Sequence, residues 1–295
     1  MTDHKERDEL SGVETTGHEW DGLKELNNPA PRWWLWVFLL CVLWSIGYWV
    51  VYPAWPTLSG HTKGNAGWTQ YKKLAAEQHE IVQRRGVFEE KIKTHTLEEI
   101  ASDPELYQFA IAGGRTMFME NCASCHGTGG QGGNGYPNLN DDDWIWGGDL
   151  ASIYSTIQNG VRSGHEDAKG VPMPAFGRDK MLGAAQIDAV AKHVLSLSGK
   201  GEANEEGAAI YAQQCASCHG ADGAGSHEFG APNLKDAIWF YGSGSLHDVK
   251  SQVHNPRMGV MPTWKERLGD ATIKQLTIYV HELGGGEPTK PVSNE

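Results

Sequence analysis

Positive charge is scarce in this chain: 25 lysines and arginines stand against 37 acidic residues in 295, a formal net charge of −12. A sequence-independent grip on nucleic acid needs clustered basic side chains, so that class of function is excluded, and an acidic surface suits a basic protein partner better. Cysteine is scarce too: there are five, of which four fall in two identical strings and Cys41 stands alone in an apolar run. Neither charge nor proline and glycine dominate enough for disorder, and the 37 glycines and 12 tryptophans point instead to tightly turned loops in a folded chain. A chain of this length accommodates two domains of roughly 100 to 150 residues each.

Charge is missing altogether from Trp33 to Val51. As a helix that run spans about 28 Å, close to the hydrocarbon thickness of a bilayer. Trp33, Trp34 and Trp36 at one end and Tyr48, Trp49, Tyr52 and Trp55 at the other form aromatic belts. The preceding polar, acidic stretch is a poor signal-peptide start and no small-residue cleavage site follows, so the run reads as an uncleaved anchor. Lys24 and Arg32 against Lys63 orient it only weakly. The expected organisation is a tail over 1–31, a transmembrane helix over 32–52 and a linker over 53–107. Within that linker, Trp68 to His95 reads as a helical stalk, and Ser102-Asp103-Pro104-Glu105 as a helix start.

The rest of the chain is a duplication. Gly114, Phe118, Cys122, Cys125, His126 and Gly127 align at constant offset with Gly207, Tyr211, Cys215, Cys218, His219 and Gly220. Pro137-Asn138-Leu139, Trp144 and Gly147 then match Pro232-Asn233-Leu234, Trp239 and Gly242, and Met173-Pro174 matches Met261-Pro262. Each copy closes with an amphipathic segment, Ile187/Val190/Ala191/Val194 in the first and Ile273/Leu276/Val280/Leu283 in the second. Nothing in the repeat alternates like a strand. The predicted fold is therefore all-α: one N-terminal transmembrane helix and two tandem domains over 108–199 and 200–288, with a short tail over 289–295.

The strings Cys122-Ala123-Ser124-Cys125-His126 and Cys215-Ala216-Ser217-Cys218-His219 carry the chemistry. Two thiols on one turn each form a thioether to a haem vinyl group, and the adjoining imidazole faces the iron, so the chain is expected to hold two covalent haem c groups. A zinc knuckle or a redox dithiol also uses such cysteine pairs, but the histidine that follows each pair favours haem. Methionine sulfur opposite histidine raises a haem's reduction potential, and Met173 and Met261, each stiffened by proline, are the candidate sixth ligands. Their rivals Met181 and Met258 have no counterpart in the other copy, and Met117 and Met119 are expected to pack beside the haem. The carbonyls of Pro137 and Pro232 are placed to accept from the imidazoles, and Trp144 and Trp239 to wall the haem or reach a propionate. His165 and His254 read as exposed loop residues, and Asp141-Asp142-Asp143 as a solvated loop rather than a docking site.

Taken together, the anchor ending in Tyr52-Pro53-Ala54-Trp55-Pro56, both Cys-x-x-Cys-His strings and both Met-Pro loops resemble the CcoP or FixP family. These are the membrane-anchored dihaem subunits of bacterial cbb3-type cytochrome c oxidase, with tandem class I cytochrome c domains. The resemblance implies a subunit of an oxidoreductase complex that is not catalytic alone. Electrons would pass from a cytochrome c or the cytochrome bc complex through both haems to a monohaem subunit and the oxygen-reducing, proton-moving haem-copper subunit. Membrane lipid is the other implied partner, and the setting is the bacterial inner membrane in a single pass, with residues 1–31 cytoplasmic and the haem domains periplasmic. A free-standing dihaem carrier, or one serving a periplasmic dehydrogenase, is the alternative. Class I domains pack an aromatic of the closing helix on the first helix. The second copy offers Tyr279, whereas the first has His193. Spacing allows His126 to pair with Met173 and His219 with Met261, while the resemblance implies crossed pairs, and the residues alone leave the choice open.

Overall fold

A computed structural model describes residues 6–236 and 238–288, so the 289–295 tail and residues 1–5 lie outside the described residues. The chain divides into two compact units, 1–84 and 85–295.

The first unit opens with an antiparallel hairpin of β1 (Thr15–Trp20) and β2 (Leu23–Leu26), which composition alone had left as a polar tail. Asp21 and Gly22 join the strands with φ of 48° and 85°, the left-handed pair that a two-residue turn needs to match strand twist. Helix α1 (Arg32–Val51) starts after Pro31 and has the anchor's expected extent to within a residue. It is the one helix among the described residues long and apolar enough to cross a membrane. Its final carbonyls are satisfied by a fold-back: Asn65 N–H donates to Val50 O and Ala66 N–H to Val51 O, both at 3.0 Å. Gly64 permits this approach, since a Cβ there would lie 2.3 Å from Val51 O. The turn is braced by β3 (Pro56–Thr57) and β4 (Gly60–His61).

Helix α2 (Gln70–Thr94) realises the stalk. Helix α3 (Leu97–Ser102) follows, with a reciprocal cap between Thr96 and Glu99. Asp103 then caps α4 (Pro104–Asn121) by accepting from Glu105 N and Leu106 N, as the Asp-Pro signal predicted. The second half of the expected linker is thus folded: Ile92, Ile100 and Leu106 are buried with Ala110, Leu150 and Ile278 in one cluster.

The haem strings form single turns, α5 (Ala123–His126) and α9 (Ala216–His219). The remaining helices are α6 (Leu150–Asn159), α7 (Ala184–Leu197), α8 (Glu205–Gln214), α10 (Leu246–His254), α11 (Lys265–Leu268) and α12 (Asp270–His281). They do not close on their own repeats. The second repeat's α12 packs on α4 and α6 of the first, while the first repeat's α7 packs on α8 and α10 of the second.

One lobe therefore buries Phe118, Ile153 and Ile157 with Trp264, Ile273, Leu276 and Val280; the other buries Tyr211, Val249 and Val253 with Phe176, Ile187, Val190 and Val194. Each such side chain contributes about 1.5 to 3 kcal/mol on removal from water. The helices cross at the repeat-matched glycines: a Cβ on Gly114 would stand 2.3 Å from Gln275 O, and one on Gly207 would stand 2.1 Å from Ala189 O. The exchange also accounts for the closing aromatics, because Tyr279 packs on Phe118 at 5.4 Å between ring centroids and His193 on Tyr211 at 5.2 Å.

Candidate haem sites

Each candidate site begins at the C-terminus of a long helix, where the Cys122 and Cys215 N–H groups donate back to Phe118 O and Tyr211 O. The chain then turns once and leaves through Gly127 or Gly220, both at φ 80°. That one turn sets two thiols and an imidazole together. Burial, with the neighbouring thiol adding, pushes the Cys122 and Cys215 thiols up to about 11. Among the described residues no three His, Cys, Asp or Glu side chains converge as a metal-binding group.

His126 Nδ1 lies 3.1 Å from Pro137 O and His219 Nδ1 3.1 Å from Pro232 O, as the repeat spacing suggested. A carbonyl can only accept, so Nδ1 carries the proton and Nε2 keeps a free lone pair. Burial lowers both imidazoles below the usual histidine range, against the opposing pull of the proline carbonyls. A neutral, oriented imidazole with Nε2 unclaimed beside two free thiols fits a covalently bound haem.

The methionines fall crosswise. Met261 packs in the cluster with Cys122, Phe118 and Trp144, and Met173 in the cluster with Cys215, Tyr211 and Trp239. Pairing within one repeat is thus not what packing brings together. Met181 is 52% and Met258 38% exposed, away from either cluster. Met117 packs in the first cluster, but Met119 is exposed. His254 ends α10, where its carbonyl accepts from Gly177 N and Arg178 N.

Both tryptophans wall their clusters, and their polar ends differ. Trp144 Nε1 donates to Gly285 O at 2.8 Å, whereas Trp239 Nε1 is buried with no hydrogen-bond partner among the described residues. The acidic run is less solvated than its composition suggested. Asp143 lines a cleft of about 380 Å³ opposite His227 and Pro232, and burial, reinforced by Asp236, Asp141 and Asp142 against the pull of His227, raises its carboxyl to about 6.

Sequence reasoning missed the residues that hold the methionine loops. Lys169 Nζ donates to Trp146 O, Ser152 O and Thr156 Oγ1, tying the loop after α6 down, and Arg162 Nε donates to Gly259 O. The available signal was an arginine ahead of the methionine in both copies, Arg162 and Arg257.

Three family models cover most of the chain: the N-terminal domain of cytochrome oxidase-cbb3, FixP, over residues 12–59; cytochrome c over 111–198; and cytochrome c oxidase, cbb3-type, subunit III over 202–280. The FixP subunit of Bradyrhizobium sp. (strain ORS 278) is 48% identical over 291 residues, covering 97% of this chain and 100% of that protein. The chain belongs to the FixP/CcoP family. CcoP of Azospirillum sp. (strain B510) is 50% identical over 292 residues, 95% of this chain and 98% of its own length. CcoP of Cereibacter sphaeroides (strain ATCC 17023) is 46% identical over 277 residues, 92% and 95% respectively. As a FixP/CcoP chain with two cytochrome c domains it carries two covalent haem c groups and serves electron transfer. The hairpin β1–β2, invisible to hydropathy, lies largely within the FixP N-terminal match.

Proposed function

We propose that the chain relays electrons to the haem-copper subunit of a cbb3-type oxidase, by way of a monohaem cytochrome c subunit, and is not catalytic alone. Cytochrome c or a cytochrome bc complex is the donor. Cys122 and Cys125 bind the first haem and Cys215 and Cys218 the second, with His126 and His219 as proximal ligands and Met261 and Met173, respectively, as their crossed partners. The observation that carries the pairing is the packing of Met261 with Cys122 and of Met173 with Cys215.

Each haem, when bound, takes up and passes on one electron. The chain's own residues hold and tune that step. The Pro137 and Pro232 carbonyls fix each imidazole's rotation and tautomer, and methionine sulfur opposite them favours the reduced form. Aliphatic walls such as Ile153 and Val249 exclude water and limit the reorganisation that follows a change in charge. Covalent c-haem attachment takes place outside the bacterial cytoplasmic membrane, so α1 sits in the inner membrane with the hairpin cytoplasmic and the haem lobes periplasmic.

The reading is tested on chains carrying one haem. With Cys215 and Cys218 replaced by alanine, the long-wavelength band of methionine-to-iron ligation should vanish on Met261→Ala and survive Met173→Ala; the reverse pattern would return the ligands to their own repeats. For the relay, membranes lacking this chain should lose oxygen uptake with reduced cytochrome c, and unchanged uptake would sink it.

A further inference from the structure

The loop that presents Met261 is tied to its own repeat at Arg257, which exchanges two hydrogen bonds with the Gln252 side chain, and beyond that to the other repeat. Val161 N–H donates to Met261 O at 2.9 Å and Met261 N–H donates to Val161 O at 3.0 Å, a two-bond exchange that fixes the methionine's backbone against the segment leaving α6. The next residue adds a side-chain tether: Arg162 Nε donates to Gly259 O at 2.8 Å, two residues ahead of the methionine.

Arg162 occupies this place under strain. Its φ is 51°, in the left-handed region where a glycine would be more at ease, and such a conformation persists only where the surroundings enforce it. The surroundings do so. Arg162 N–H donates to Lys169 O at 2.8 Å, and Gly170, at φ 118°, leaves room for the crossing side chain, since a Cβ there would lie 2.8 Å from Arg162 Cγ. Lys169 in turn is bonded to Trp146 O, Ser152 O and Thr156 Oγ1, so the tether runs back to α6 and the first lobe.

We propose that Arg162 is the positioning residue for Met261: by holding the Gly259 carbonyl through Nε, it sets where the Met261 sulfur can sit. This rests on the reading of Met261 as an iron ligand. Without the tether, the loop keeps the Val161 exchange, the Thr263 bond to Gln158 O and the Gln252 bonds to Arg257, but the Gly259 carbonyl between them is released, and the sulfur would spend part of its time off the iron. A hydrogen bond from a charged donor is worth about tenfold or more in an equilibrium.

The test uses the full-length, haem-loaded chain in detergent, with Arg162→Gln and Arg162→Met, both removing the guanidinium and the latter leaving no donor at all. Both should retain two haems per chain by pyridine haemochrome. Both should increase carbon monoxide binding by one reduced haem about tenfold, and shift that haem's reduction equilibrium about tenfold toward the oxidised form. In a Met261→Ala background neither should have any further effect, whereas in Met173→Ala the full effect should persist. Wild-type carbon monoxide binding and potentials in both variants would overturn the proposal. So would an effect that persists without Met261. Should Gln and Met impair haem loading, Arg162→Gly, suited to φ 51°, removes the tether without backbone strain and is read the same way. If Met261→Ala itself leaves both haems fully ligated, the ligand reading beneath the proposal fails, and that result is separate from any of these.

Discussion

The two haem lobes are built from the same repeat yet are fastened differently. In the first, Trp144 donates to Gly285 O, and the lobe is extended by the cluster of Ile92, Ile100 and Leu106. In the second, Tyr211 does what its counterpart Phe118 cannot: its hydroxyl donates to Gly220 O at 2.8 Å, bracing the chain just after His219. The first lobe is tied at its tryptophan and the second at its haem turn. A duplicated fold thus tolerates moving a polar tie from one wall to another, provided the helix crossing and the imidazole's carbonyl partner stay fixed.

The comparison predicts equal damage where the lobes are equal. Gly114→Ala and Gly207→Ala each drive a Cβ onto a backbone carbonyl, and each should cost about 3 kcal/mol or more and loosen its own lobe in thermal unfolding. If one is tolerated, the crossings are not equivalent. Next, Tyr279→Ala should cost about 3 kcal/mol and His193→Ala clearly less, because His193 presents a smaller ring to Tyr211; equal costs in denaturant melts would remove that difference. Among the ties, Trp144→Phe and Tyr211→Phe should each lose about 1 kcal/mol.

The smallest effect concerns pH. Asp143 is raised to about 6 in the folded chain against an ordinary 3.8, so the folded state holds the proton more tightly than the unfolded one. Stability is therefore favoured at low pH, falls as the pH rises from about 4 through 6, and carries the full deficit above that. The group is only half-buried, and solvent screening cuts the deficit to about 1 kcal/mol or less. Asp143→Asn should stabilise the chain by about that much at pH 7 and leave it unchanged below pH 4. A gain that persists in acid would locate its cause elsewhere.

Much of the site was legible in the residues. The haem strings, the Pro137 and Pro232 carbonyls and the Met-Pro loops depend on local spacing, and a turn of one helix repeats its geometry wherever it is written. The anchor and the Asp103 cap were legible for the same reason, since a charge-free run and a capping side chain act within their own element. The hairpin was not, because its only signals are an Asp-Gly turn and a poorly alternating polar stretch. Arg162 was missed because its partner, Gly259, is remote in sequence and adjacent only in the folded chain.

The amino-acid order by itself determined that there are two haem-binding repeats and which helix is apolar enough to meet a membrane, since each rests on a contiguous segment. Which closing helix packs in which lobe was decided only by the tertiary structure. Both α7 and α12 carry a similar apolar stripe and both Met-Pro loops present a similar sulfur, so either assignment satisfies the pattern. Packing settles it. The short connection 198–204 keeps α7 beside α8, leaving α12 to cover α4 and carry Met261 to the first lobe.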